Sequence, residues 1–270
     1  MKFNLLKNTC QLTQSKASAL NQFVFGLLTF GFLAGCATST SEFRAEPARV
    51  ATIRSVAVVA FTVPEYVVEK DPSQLASFMA LFKMTKQIVN NEKVTGNGQA
   101  VAQEALAGFI ETMAKEGKLQ FLSMNQVVGN TSFNALRDTY GQKPNGSKAT
   151  LPGLPIINVD AEMPRSEFAA LAAKALGVDG VIFVDAHELN YQLYTGTAGT
   201  GDARAYIRAL FKLFDKNGSA VWESGVVARS EGNAAMVAGA INPLQAAALN
   251  RSIGATIASE LQKTYAKSAK

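Results

Sequence analysis

The hydrophobic pattern changes period several times along the chain. From Ile53 to Phe61 it is near-continuous and rich in valine, which predicts a strand covered on both faces, as in an α/β sheet. Asp71-Pro72 then caps and starts a helix over 72–91. At 100° per residue, Leu75, Phe78, Met79, Leu81, Phe82, Met84, Ile88 and Val89 spread over more than half its circumference, wider than the stripe of a helix with one buried face. Two readings stand: burial on two sides, or adaptable Met and Phe contacts to a partner subunit or membrane surface. After the break at Thr95–Gly98, residues 99–116 read as a cleanly amphipathic helix closed by Gly117. Lys118 to Ser123 reads as a second strand, Ser123 as the cap of a short helix toward Tyr140, and Gly141 to Pro155 as a long loop.

The second half is more regular. Pro164 starts a helix with Phe168, Leu171, Ala172, Ala175 and Leu176 inside, ended by Gly177. Asp179-Gly180 turns into the apolar run Val181–Val184, continued toward Tyr194. The glycine-rich stretch Gly196 to Asp202 reads as a flexible loop before a long strand, Ala203 to Phe214. Asp215-Lys216-Asn217-Gly218 is a hairpin signal, and a return strand follows from Ala220 to about Arg229. Asn242-Pro243 begins a long C-terminal helix. Together these elements predict a three-layer α/β domain over 51–270, its mixed sheet ending in an antiparallel meander and flanked by helices.

The N-terminus follows a different pattern. Lys2, Lys7 and Lys16 precede a 12-residue apolar run, Phe23 to Ala34, with no acid among them. The run is too short for a transmembrane helix of roughly 20 residues and has the layout of a secretory signal over 1–35. It closes on Leu33-Ala34-Gly35-Cys36, which resembles the lipobox of bacterial lipoproteins. The resemblance implies removal of the signal and lipidation of Cys36, with 36–50 as a polar tether. Three acyl chains would hold the chain on a membrane far more firmly than one. In the sorting pattern this resembles, Asp after the cysteine retains a lipoprotein at the inner membrane; Ala37 favours the outer membrane, with the domain at its periplasmic face.

Processing at Cys36 changes two compositional statements. The formal charge of +5 falls to +2, with 23 basic and 21 acidic residues left, so the basic balance is no sign of nucleic-acid binding. Cys10 leaves with the signal and Cys36 is acylated, so the folded part has neither a disulfide nor a thiolate metal site.

No catalytic motif stands out. His187 is the single histidine, which excludes a two-histidine zinc site, and no nucleophile elbow accompanies it. Asp179, Asp185 and Glu188 are close enough in sequence for paired-carboxylate acid–base chemistry or cation binding, though a turn role for Asp179 and a solvated one for Glu188 fit as well. The 196–202 glycines match neither dinucleotide nor P-loop spacing. Arg204, Tyr206, Arg208 and Lys212 alternate with apolar residues on one strand. They form either a solvated face or a basic, aromatic surface for an acidic partner. With Phe78 and Phe82 they are the candidate partner surface. No metal or cofactor is expected beyond the lipid on Cys36.

Several segments in order, Ser55–Phe61, Leu119–Leu122, Leu171-Ala-Ala-Lys-Ala-Leu-Gly-Val-Asp-Gly-Val-Ile-Phe-Val184 and Leu210-Phe-Lys-Leu-Phe-Asp-Lys-Asn-Gly-Ser-Ala-Val-Trp222, resemble the periplasmic α/β lipoprotein superfamily. It contains the curli secretion-channel lipoprotein, surface-polymer export lipoproteins and the lipoprotein activators of peptidoglycan synthases. The resemblance spans roughly 55–230 and implies a non-enzymatic chain. Such a chain self-assembles or binds another envelope protein, as an accessory of an envelope or secretion complex or as a regulator docking on a cell-wall-synthesising enzyme.

Overall fold

The computed structural model describes residues 40–64, 67–70, 93–95, 98–116, 119–141, 148–157, 165–197, 200–237 and 240–268. Cys36, the expected helix at 72–91 and its Phe78 and Phe82 lie outside them. In chain order the strands are β1 (Thr40–Ala45), β2 (Ser55–Pro64), β3 (Val67–Lys70), β4 (Lys93–Thr95), β5 (Gln120–Phe121), β6 (Lys148–Thr150), β7 (Gly180–Thr197), β8 (Thr200–Asp215), β9 (Ala220–Arg229), β10 (Ala234–Val237) and β11 (Ala240–Ile241). The helices are α1 (Pro47–Val50), α2 (Gly98–Glu116), α3 (Met124–Val128), α4 (Thr131–Tyr140), α5 (Arg165–Leu176) and α6 (Pro243–Ser268).

All described strands join one mixed sheet ordered β1-β9-β8-β7-β2-β5. β2 runs parallel to β5 and β7, and β3 continues along β7 at Asn190–Gln192. The meander β7-β8-β9 is antiparallel, and β10 prolongs it along β8 at Gly201–Ala203. The apolar run that predicts a doubly covered strand is buried from Val56 to Val63.

Register sorts the large side chains onto two faces. Phe61 pairs with Val184, Val184 with Phe211, and Phe211 with Ser224, so all four share a face. There Phe61 meets Phe109 of α2 at 6.3 Å and Phe109 meets Phe211 at 6.2 Å. Phe211 lies 4.9 Å from Trp222, which lies 4.9 Å from Tyr265 of α6. On the opposite face Phe133 of α4 meets Phe168 of α5, Phe168 meets Phe183, and Phe183 meets Phe214 at 5.1 Å. One continuous aromatic chain on each face makes the molecule three-layered, as its sequence predicts.

The long helices α2 and α6 touch backbone to backbone. A Cβ built on Gly108 would sit 2.0 Å from the Arg251 carbonyl oxygen, and one on Gly254 would sit 1.9 Å from that of Ala105. Only glycine permits this approach from either helix. Arg251 bridges the exposed rim to Glu111 at 2.9 Å and Glu104 at 3.6 Å.

Four expectations need correction. Residues 40–50, assigned to the tether, contain β1 on the outer edge of β9 and the short α1. An edge strand needs main-chain partners on one side only, so it needs no apolar alternation, and Glu46 N donates to Val221 O to close the join. The loop expected over 141–155 contains β6, which pairs with the end of β2. The single helix after Ser123 is two. Ser123 forms a capping box with Gln126, the chain breaks at Gly129, and Asn130 caps again by accepting from Phe133 N at 2.8 Å. β7 and β8 extend to Thr197 and Thr200, which leaves two residues of the expected 196–202 loop between them.

Gly254→Ala should lower stability by about 2 kcal/mol, because overpacking exceeds the roughly 1 kcal/mol gained in helix propensity. At this size that is a loss of about 4–8 °C in Tm. Gly232→Ala, with nothing near its Cβ, should leave Tm unchanged; calorimetry of the two variants checks both.

Candidate functional site

The predicted alternation on β8 is present. Ala203, Ala205, Ile207, Ala209, Phe211 and Leu213 are buried, while Arg204, Tyr206, Arg208 and Lys212 line the other face. Each has its own surroundings. Arg204 Nε donates to Asn233 Oδ1 at 2.6 Å, and its guanidinium lies 3.9 Å from the Tyr194 ring centroid. Tyr206 is half-buried between Asn190 on β7 and Arg229 on β9. Arg208 is exposed between Glu188 and Val227. Lys212 pairs across strands with Glu223 at 3.3 Å.

Leu210 belongs to this face too, which strict charge reading missed. It stands between Arg208 and Lys212, 36% exposed. Period-2 logic puts it there unambiguously, because 210 has the parity of 208 and 212. On this strand, paired on both sides, cations therefore flank an apolar centre, with Glu188 and Asp185 on β7 and Glu223 on β9 directly opposite.

The three carboxylates singled out in sequence do not converge. Asp179 serves the sheet: its Oδ2 accepts from Arg54 N, Ser55 N and Ser55 Oγ at 3.0–3.1 Å. The amide of Ser55 first, then that of Arg54, holds its carboxyl below the ordinary range. Glu188 Oε1 accepts from Asn190 Nδ2 at 2.9 Å. Asp185 sits at the far end of β2. It accepts from Thr62 Oγ1 at 2.6 Å and from Lys148 Nζ at 2.8 and 3.0 Å. Arg165 Nη2 is 3.8 Å away and His187 Nδ1 4.0 Å away. The His187 side chain is 44% exposed and stands at a bulge between Ala186 and Glu188.

Asp185 thus collects cations from β6, α5 and β7. Burial works to raise its pKa, but the hydrogen bonds from Lys148 and Thr62 and the charges of Lys148 and His187 outweigh it and hold the carboxyl below its ordinary value. Beside it a cavity of about 10 Å³, lined by Thr62, Arg165, Asp185, Leu210 and Lys212 among others, is the size of one water. Arg165 Nε is buried without a hydrogen-bond partner next to it. Lys148, Thr62 and Arg165 were not legible as a cluster, since only tertiary pairing gathers them. Among the described residues no three His, Cys, Asp or Glu side chains form a group that could hold a metal, and the arrangement supplies a fixed ion-pair network and no nucleophile–base pair.

A wider cleft of about 500 Å³ lies between α4 and residues 150–155. Its Arg137 is engaged by Asp138 Oδ1 at 2.8 Å, Asn134 Oδ1 at 3.0 Å and the Gly153 carbonyl at 3.4 Å.

No protein-family model matches the chain, and no curated protein matches it. Among solved structures, the PelC dodecamer from Paraburkholderia phytofirmans is similar over 84% of this chain and 98% of its own, at 12% identity and a TM-score of 0.33. The NMR structure of E. coli LpoB is similar over 83% and 84%, at 12% identity and a TM-score of 0.28. The LpoB C-terminal domain from Salmonella enterica covers 68% of this chain with 95% of its own, at 13% identity and 0.26. Likeness of this degree fixes neither fold nor role for this chain.

Asp185→Asn should cost roughly 2–4 kcal/mol at neutral pH by leaving Lys148 and Arg165 without their carboxylate, the low end reflecting the water that still reaches Lys148. A carboxyl with a lowered native pKa stabilises above its unfolded pKa and loses that contribution as pH falls through the native value. Wild-type stability should therefore decline below about pH 4 more steeply than that of the variant; urea melts from pH 7 to 2.5 read both effects.

Proposed function

We propose that this chain is a non-catalytic accessory or assembly subunit of a cell-envelope complex, held at the outer membrane by a lipid on Cys36 and engaging an acidic protein partner through the open face of β8. The observation that supports the docking surface is the strip Arg208-x-Leu210-x-Lys212, exposed to half-buried on a strand that is paired along both edges. Such a strip is preorganised, so a partner does not have to order it on binding. Its centre offers an apolar contact and its flanks offer cations, the composition of an interface core with a charged surround. The address rests on the signal pattern and on Leu33-Ala34-Gly35-Cys36, followed by Ala37.

A photoreactive residue at Leu210 should give a discrete envelope-protein adduct in living cells, while one at Lys174, exposed on α5, should not. Arg208→Glu should weaken that adduct about tenfold, as expected for a charge at an interface rim, with Tm unchanged. Equal adducts from both positions, or no response to Arg208→Glu, would reject the docking face. An adduct between two copies of the chain would make self-assembly its purpose.

A further inference from the structure

The three most exposed large hydrophobic residues among those described gather at one end of the molecule. Leu244 is 83% exposed, Val237 64% and Tyr194 50%. β10 pairs with β8 at Gly201–Ala203, beside the tip of the β7–β8 hairpin that carries Tyr194, and β11 leads directly into Leu244 in the first turn of α6. The end is poor in charge: no ionisable side chain occurs from Leu193 to Gly201 apart from the Tyr194 phenol, and none from Gly232 to Asn250, while Asp202 stands in register with Thr195 and accepts from its Oγ1 at 3.2 Å. The Arg204 head group is held over Tyr194.

The start of the described chain points the same way. β1 enters the sheet from this end, since Thr40 pairs with Val226 and Ala45 with Trp222, while Val226 pairs with Ala209 and Trp222 with Leu213. Cys36 precedes Thr40 by four residues, a reach of at most about 14 Å. From Ala209 to Gly201 the sheet continues for eight residues of β8, about 27 Å along the strand. A lipid at Cys36 would therefore hold Thr40 near the membrane, and on that side the sheet projects past Thr40 about twice as far as the tether extends.

We infer that the end formed by Tyr194, Val237 and the start of α6 is a second membrane contact, seated in the lipid interface beside the acylated Cys36. This rests on the lipid-anchor reading above. The physical fit is that of an interfacial surface: two aliphatic side chains for the acyl boundary, an aromatic ring with a polar tip, and an arginine stem beside it. No described helix is long and apolar enough to cross a membrane, and the contact requires none.

The test uses the full chain purified from membranes and returned to phosphatidylethanolamine–phosphatidylglycerol vesicles. An environment-sensitive fluorophore is placed by Leu244→Cys, or as control by Lys216→Cys at the opposite β8–β9 turn. Lipids brominated on their acyl chains should quench the label at 244 several-fold more than the one at 216. Equal and weak quenching at both positions overturns the proposal. So does a 244 label shielded from aqueous iodide but untouched by bromolipid, which assigns the end to a protein neighbour. The anchor is read separately with Cys36→Ala in cells. Release of that variant from membranes while the wild-type 244 label stays unquenched leaves the anchor standing and the second contact refuted. Retention of the variant with the 244 label still quenched does the reverse.

Discussion

The parallel pairing of β2 with β7 is the constraint on which the rest depends, and an aspartate fastens it at each end. Asp179 binds the first amides of β2 and the Ser55 hydroxyl; Asp185 takes the Thr62 hydroxyl near its last residue. Between them six residue pairs run in register with one irregularity. A slip of β2 by one residue would turn Phe61 away from Phe109 and break the aromatic chain on that face. Antiparallel pairs can be fixed by their turn, as Asp215–Gly218 fixes β8 with β9. A parallel pair has no turn to set it, so polar locks at its ends are the available device.

With that register set, the two faces acquire different uses. One takes α2 and α6, packed through a glycine-lined crossing and the aromatic chain from Phe61 to Tyr265. The other takes α5 and α4 over β2 and the beginning of β7, and then presents Arg208 and Leu210 to solvent on β8.

How far this could be read in advance follows from the range of the forces involved. The joint from Leu171 to Val184, the turn at Asp215–Gly218 and the amphipathic α2 are local patterns, and they stand where periodicity and turn chemistry put them. β1 and β6 were missed because pairing at a sheet edge is a main-chain affair with little side-chain signature. The Asp185 cluster was missed for a different reason: its partners Lys148 and Thr62 lie 37 and 123 residues earlier in the chain, a separation no window spans. Of the candidate partner surface, the alternation of Arg204, Tyr206, Arg208 and Lys212 was legible, whereas Leu210 shares their parity but carries no charge to mark it.

The proposed anchor rests on one covalent event before the sheet begins. If Cys36 is the acylated first residue, four residues join lipid to β1 and the basic signal is gone. Mass spectrometry of the N-terminal peptide from the membrane-extracted protein decides it. The account predicts a chain beginning at Cys36 and carrying three acyl groups; a chain that still begins at Met1, or an unmodified Cys36, would contradict it.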